Sequence, residues 1–276
     1  KNNNNVTIPG GKWTYQPRIA IITANQNKHR SVSGATIVDI SNNIVDYITE
    51  NNPDIVLLTA APPDQHGFKH VNCKEREYWM KKMKDYSDEQ NYQDSVELAK
   101  LFEIINSCPV PVIAKVNGAA LGGGTGLIAV CDYAIACQSA KLGFTEVCLG
   151  LVPAVISPFV IARIGFNNAR AYFLSGERFL AITAKRIGLI HHVCPLDDLD
   201  DQTEKIINRF LKAGPKAARE AKTLIFGVQE KMTLGRDEMR KYTCETIARV
   251  RTSDEGQEGM NALLEKRAPS WKGSES

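Results

Sequence analysis

The hydrophobic and polar positions of this chain predict alternating strands and helices over roughly its first two thirds. Residues 54–60 and 110–116 are short, continuous apolar runs, typical of strands buried on both faces of a sheet. Residues 13–24 alternate between apolar and polar side chains, which predicts hairpin strands entering a core. Residues 34–50 and 93–107 instead carry apolar residues at helical spacing, so we expect a helix in each.

After residue 153 the pattern changes to a run of helices. They are predicted at 157–164, 167–175, 181–186, 200–213, 215–226, 234–251 and 253–266. Thr252 and Glu255 have the spacing of a capping box before the last of these. Strands alternating with helices indicate an α/β core, and we divide the chain into an N-terminal segment (1–10), a core (11–195) and a helical C-terminal region (196–276).

Composition and charge narrow the classes of function. Of the 276 residues, 43% are hydrophobic and 24% charged, the balance of a globular protein. The longest apolar runs are much shorter than ~18 residues, so no membrane span is predicted. The 34 basic and 31 acidic residues give a net charge of +3, which is too balanced to indicate a nucleic-acid surface.

The cysteines and the N-terminal segment bear on the compartment. Seven cysteines are scattered without a Cys-x-x-Cys pair, which is typical of reduced thiols in an intracellular protein. The asparagine-rich residues 1–10 are expected to be disordered or to contact a partner. The chain begins at Lys1 rather than methionine, which fits either a removed targeting segment or a trimmed chain.

Three consecutive glycines, Gly122, Gly123 and Gly124, lie between an apolar strand and a second apolar run at 127–130. Glycines at the start of a helix let a ligand approach the backbone and leave the first N–H groups uncovered. Such a site favours an oxygen with negative charge, either a phosphate or the oxyanion that develops on a thioester carbonyl. The Gly-Lys-Ser/Thr ending of a phosphate-binding Walker loop is absent, which favours the oxyanion.

The sequence around these glycines resembles the crotonase (enoyl-CoA hydratase/isomerase) family. The similar segments are NGAALGGG at 117–124, CDYAIA at 131–136, AKLGFTE at 140–146, LGLVPAVISPFV at 149–160, YFLSGERF at 172–179 and SDEGQEG at 253–259. They extend over nearly the whole chain and are most similar to the methylglutaconyl-CoA hydratase branch. The resemblance implies a crotonase (ClpP-like) ββα spiral core with a helical C-terminal trimerisation region, and hence a homotrimer or hexamer.

The resemblance also implies a set of site residues. The family holds the thioester oxygen with two backbone N–H groups, which correspond here to Val71 and Gly123. Of its two carboxylates, the second falls on Glu146 and the first on Gly126, where no proton can be held. Glu146 is therefore the expected acid and base for adding water to the double bond of an enoyl-CoA.

Basic residues are expected to hold the phosphates of the CoA thioester, which is a substrate rather than a permanently bound cofactor. The candidates implied by the resemblance are Lys28, Arg30, Lys69 and Lys266. The family has asparagine where Arg30 stands, and a solvated basic loop is the alternative interpretation for Lys28 and Arg30. The family's RNA-binding member has lysines along its first helix, whereas residues 34–50 contain no Lys or Arg, so nucleic acid is not expected as a partner.

The loop before Lys74 departs from the family pattern, with His70 in place of a glycine and Asn72 in place of an aspartate. His66, His70 and Cys73 lack a fourth ligand nearby, so we predict no metal site and interpret the segment as a diverged loop. Two functions stay open: a hydratase of the methylglutaconyl-CoA type, and a catalytically inactive structural subunit of a larger mitochondrial assembly. In both cases the resemblance points to the mitochondrial matrix.

Overall fold

The computed structural model describes residues 5–8, 11–16, 18–24, 45, 48–50, 52–60, 81 and 83–272. The chain divides into two compact units. The first comprises Lys1–Cys108 and Val112–Thr203, and the second comprises Pro109–Pro111 and Glu204–Ser276. The predicted division after residue 195 stays a prediction. None of the helices in the described ranges is long and apolar enough to cross a membrane.

A seven-stranded sheet forms the centre of the first unit. Its strands are β1 (Asn5–Ile8), β2 (Gly11–Gln16), β3 (Ile19–Ala24), β4 (Ile55–Ala60), β5 (Val112–Val116), β7 (Tyr133–Cys137) and β10 (His192–Cys194), in the order β1-β2-β3-β4-β5-β7-β10. The first two pairs are antiparallel and the rest are parallel. Ile55, Ile113 and Ile135 are buried in the middle strands, which is why these strands are continuous apolar runs.

A second, smaller sheet includes the strand that directly precedes the three glycines. It contains β6 (Ala120–Leu121), β8 (Lys141–Gly143) and β9 (Arg178–Leu180), with β6 and β8 parallel and β8 and β9 antiparallel. The helices of this unit with both ends in the described ranges are α1 (Asp88–Asn106), α2 (Gly123–Ala129), α3 (Ser157–Ser175) and α4 (Ala181–Arg186), and a short 3-10 turn lies at Glu146–Leu149. Helix α5 (Leu199–Leu211) contains the division between the units.

Two details of the helices can be compared with the sequence predictions: where α1 begins and where α3 is interrupted. Helix α1 begins at Asp88 rather than residue 93, because Ser87 and Gln90 form a capping box that satisfies its first N–H groups. The two helices predicted at 157–164 and 167–175 are confirmed: α3 consists of two helical segments separated by a kink at Gly165, whose φ of 76° is not helical.

The second unit is built from α6 (Pro215–Lys231), α7 (Arg236–Thr252), α8 (Asp254–Leu264) and a 3-10 turn at Ser270–Lys272. The prediction of a capping box with Thr252 is wrong: Ser253 is the N-cap of α8 and accepts from the Gly256 N–H at 3.1 Å. The Glu255 carboxylate instead accepts from the N–H groups of Lys216 and Ala217 at 3.0 and 2.7 Å. It therefore caps α6, the neighbouring helix.

Candidate active site

The site is built at the start of α2, where the chain leaves β6 and turns at Gly122. Gly122 has φ 55° and ψ −123°, a backbone conformation that is essentially restricted to glycine. Its N–H donates to the Gly143 carbonyl of β8 at 2.9 Å. The next two N–H groups, those of Gly123 and Gly124, have no acceptor within the residues that the structure describes. The start of α2 therefore presents two free donors, the arrangement that stabilises an oxyanion.

Thr125 fixes the position of this helix start, a role that the sequence reasoning missed. Its side chain is fully buried, and its hydroxyl group donates to the Ala120 carbonyl at 2.7 Å. The same oxygen lies 3.4 Å from the Gly143 N–H, from which it accepts. One hydroxyl group thus ties α2 to two strands of the small sheet, β6 and β8. A buried threonine after glycines was the available signal, because a buried hydroxyl group needs partners.

Glu146 brings the only carboxyl group that the described residues place against this turn. It is the first residue of the 3-10 turn that follows β8. A Cβ atom at Gly122 would lie 3.0 Å from Oε1 of Glu146 and 3.4 Å from its Cδ, so glycine at 122 leaves room for the carboxyl group. Glu146 Oε2 is buried and has no hydrogen-bond partner in the described part of the chain. Such an oxygen is costly to bury unless it serves a ligand.

Burial raises the pKa of Glu146 above its ordinary value of 4.5, although a hydrogen bond from its own backbone N–H partly opposes this. A raised pKa brings a carboxyl group closer to neutral pH, where it exchanges protons more readily with a substrate. The environment of Glu146 therefore favours proton transfer over a structural ion pair.

The far end of α2 is held by the half-buried side chain of Arg163. The Arg163 guanidinium donates to the carbonyls of Leu189 (3.1 Å), Ala129 (3.3 Å) and Cys131. His191 lies beside it, 3.3 Å from Nδ1 to the nearest guanidinium nitrogen. Burial, together with the charge of Arg163, lowers the pKa of His191 to about 4. These groups fix the carbonyl end of the helix, away from the glycines.

The CDYAIA segment has a structural explanation too. The Asp132 carboxylate accepts from the Val112 N–H at 2.7 Å, and the Asp132 N–H donates to the Val112 carbonyl at 2.9 Å. This pair of bonds joins the start of β7 to the start of β5. Asp132 is therefore a structural residue, which explains its presence near the site without a catalytic role.

The structure describes some of the predicted site residues and not others. Gly123 and Glu146 both lie in the first unit, and the Glu146 carboxyl group lies beside Gly122, the residue before Gly123. Lys266 is exposed at the end of α8, with φ 55°, and belongs to the second unit. The remaining predicted residues lie outside the described ranges: Val71, Lys28, Arg30 and Lys69. So do His66, His70 and Cys73; the described residues themselves contain no cluster of three metal-ligating side chains.

Fold and site together define a class of protein: an α/β sheet protein with a glycine-opened helix start beside a partly buried carboxyl group. A family model described as enoyl-CoA hydratase/isomerase matches residues 78–274. The chain thus belongs to this family, the crotonases, as its sequence motifs predicted.

Individual relatives agree with this assignment. The crystal structure of an enoyl-CoA hydratase from Shewanella pealeana is 33% identical, with a TM-score of 0.84 over 95% of this chain and 96% of that one. An enoyl-CoA hydratase from Bacillus anthracis is 30% identical, with a TM-score of 0.79 over 96% and 100%. A crotonyl-CoA hydratase of Syntrophomonas wolfei is 34% identical over 169 residues, which cover 61% of this chain and 64% of that relative.

Proposed function

We propose that this protein adds water to the double bond of an enoyl-CoA thioester of the methylglutaconyl-CoA type. One observation carries the proposal: the buried Oε2 of Glu146, which has no partner among the described residues, lies at the glycine turn where the N–H groups of Gly123 and Gly124 likewise have no described acceptor. A proton-transfer group and oxyanion donors at one place are the two requirements of this hydration.

The residues perform the steps as follows. The Gly123 N–H donates to the thioester oxygen, which gains negative charge as water adds to the β-carbon. Glu146 accepts a proton from that water, and a proton then goes to the α-carbon as the enolate collapses. The Val71 N–H is the proposed second donor to the oxygen, by resemblance to the family. Lys28, Arg30, Lys69 and Lys266 are the proposed contacts for the phosphates of CoA.

The alternative function is an inactive structural subunit of a larger mitochondrial assembly, as the substitutions at His70 and Asn72 suggested. Glu146 argues against it, because a subunit without chemistry gains nothing from a buried carboxyl oxygen that lacks a partner. We further propose a homotrimer or hexamer in the mitochondrial matrix, both expectations that come from the family.

The test is a hydration assay on the purified chain with two substrates, crotonyl-CoA and 3-methylglutaconyl-CoA. Hydration removes the ultraviolet absorbance of the conjugated thioester, which gives kcat and KM for each. We expect turnover of both and a higher kcat/KM for 3-methylglutaconyl-CoA. A higher kcat/KM for crotonyl-CoA would contradict the branch assignment. If neither is hydrated, and saturating acyl-CoA produces no thermal shift, the structural-subunit function is the better account.

A further inference from the structure

Gly122 and Gly126 are one helical turn apart at the start of α2, where the Gly126 N–H donates to the Gly122 carbonyl at 3.1 Å. A Cβ position at Gly122 lies beside the carboxyl group of Glu146, whereas the atoms nearest to a Cβ position at Gly126 belong to Ile156 and Phe102.

The space at Gly126 is already filled. A Cβ atom there would lie 2.3 Å from Cγ2 of Ile156, 3.0 Å from its Cβ and 3.2 Å from Cζ of Phe102. Ile156, the N-cap of α3, is 3% exposed, and Phe102 on α1 is fully buried. A contact of 2.3 Å forces a neighbour to move, and neither side chain has solvent to move into.

Backbone conformation does not explain the glycine at this position. Gly126 has no positive φ and lies within a helix, where alanine is preferred over glycine. The requirement for glycine at 126 therefore comes from the Cγ2 methyl group of Ile156. This differs from Gly122, where φ itself demands glycine.

We propose that Ile156, backed by Phe102, excludes every side chain from position 126, which leaves Glu146 as the one acid/base carboxylate that the described residues bring to the site. The second half of this inference rests on the proposed hydration. Glu146 then handles both transfers: it takes the proton as the water oxygen bonds to the β-carbon, and returns that proton as a C–H bond forms at the α-carbon. The carboxylate is regenerated, and atoms and charges balance without a second acid.

The steric half is tested by thermal unfolding in three backgrounds, independently of activity. Gly126→Ala is made in the wild type, in Ile156→Val and in Ile156→Leu. Valine keeps both branches at Cβ, including the Cγ2 methyl group, whereas leucine has a single carbon there. We expect Gly126→Ala to lower the Tm by roughly 3 to 10 °C in the wild type and Ile156→Val. In Ile156→Leu less than half of that loss should remain. An equal loss in all three backgrounds would overturn the role of Ile156.

The catalytic half is tested by the pH dependence of kcat with crotonyl-CoA, whose acyl group does not titrate. With Glu146 as the one acid/base group, log kcat rises with a slope of one as Glu146 loses its proton and then stays level at higher pH. A fall at high pH would show a second group that must hold its proton, and a slope of two would show a second group that must lose it; either result would overturn this half. If no hydration is detected, the catalytic half fails together with the proposed function, while the Tm comparison still decides whether Ile156 excludes a side chain.

Discussion

Two glutamates, Glu146 in the first unit and Glu258 in the second, have opposite surroundings. The Glu258 carboxylate accepts from both terminal nitrogens of Arg267, at 2.7 and 2.8 Å, and from the Ser270 N–H at 2.8 Å. These hydrogen bonds lower the pKa of Glu258 to about 2, and those from Arg267 have the largest effect. Glu146 has a buried oxygen without a partner, and burial raises its pKa.

The contrast separates structural carboxylates from a reactive one. Elsewhere in the second unit, Glu220 forms a bidentate pair with Arg249 at 2.7 and 2.8 Å, and Glu255 caps α6. A carboxylate with full partners holds its proton weakly and stabilises the fold. Glu146 has no such compensation, so its retention in a costly position is explained by chemistry.

The largest expected effect is on activity. Glu146→Gln removes the proton-transfer group while preserving size, so we expect kcat/KM for enoyl-CoA hydration to fall by about 100-fold or more. Glu258→Gln alters a carboxylate that is only structural, and its kcat should stay within about twofold of the wild type. Steady-state kinetics of both variants with the same substrate measures the contrast.

Glu103, whose side chain is exposed on α1 of the first unit, offers a matched control. Glu103→Gln should leave kcat/KM and Tm unchanged. If Glu146→Gln were as active as Glu103→Gln, the assignment of Glu146 would be wrong, whichever reaction the protein catalyses.

Much of the fold could be predicted because buried strands and helices have characteristic patterns of apolar residues in the sequence. The apolar runs at 54–60 and 110–116 correspond to β4 and β5, because both faces of these strands are covered. The start of α1 was missed because polar residues follow Ser87 and obscure the helical stripe until residue 93. Glu255 was assigned to the wrong helix, since its partners at 216 and 217 are distant in the sequence.

The site could be predicted only in part. Resemblance gave Gly123 and Glu146, but neither spacing nor composition reveals that Oε2 of Glu146 lacks a partner. Nor could the sequence explain Gly126, because its neighbours Ile156 and Phe102 come from two other helices. Both properties depend on contacts between segments that are about 20 to 30 residues apart, which only the folded chain brings together.

Alanine substitutions at two adjacent glycines, Gly122 and Gly123, test the space around Glu146. Gly122→Ala forces a side chain into a glycine conformation, with its Cβ 3.0 Å from Oε1 of Glu146. We expect it to destabilise the protein by about 1 to 3 kcal/mol. Gly123 has no heavy atom within 4 Å of its Cβ position and no positive φ, so Gly123→Ala should keep the Tm.

The same two variants distinguish an effect on stability from an effect on substrate binding. The methyl group of Gly123→Ala would lie in the open space beside the free N–H, so we expect kcat/KM to fall roughly 10-fold or more. Thermal unfolding and kinetics are measured on both variants. If both variants lost the same Tm, it would contradict the view that, of these two positions, only Gly122 has a backbone conformation that requires glycine.

The pH dependence of stability tests the structural role of Glu258. Glu258 has a folded-state pKa of about 2, below its ordinary 4.5, so its stabilisation is present above pH 4.5 and is lost as the pH falls towards 2. Glu258→Gln should therefore lower the Tm by a few degrees at pH 7, and the difference should shrink in acid and in high salt. Glu245→Gln, on the exposed side of α7, is the control and should leave the Tm at pH 7 unchanged.

The smallest effect has the opposite sign and concerns the stability of Glu146 variants. Because burial raises the folded-state pKa of Glu146, the folded state binds its proton more tightly than the unfolded state does. Its contribution to stability is then greatest below pH 4.5 and is lost as the pH rises through the raised value. Glu146→Gln, which cannot ionise, should raise the Tm at pH 7 by roughly 1 to 3 °C, a small gain because the residue is only partly buried. The gain should vanish near pH 4, where Glu146 is protonated in the folded protein. A lower Tm at pH 7 would mean that the carboxylate has a stabilising partner after all, and the contrast with Glu258 would disappear.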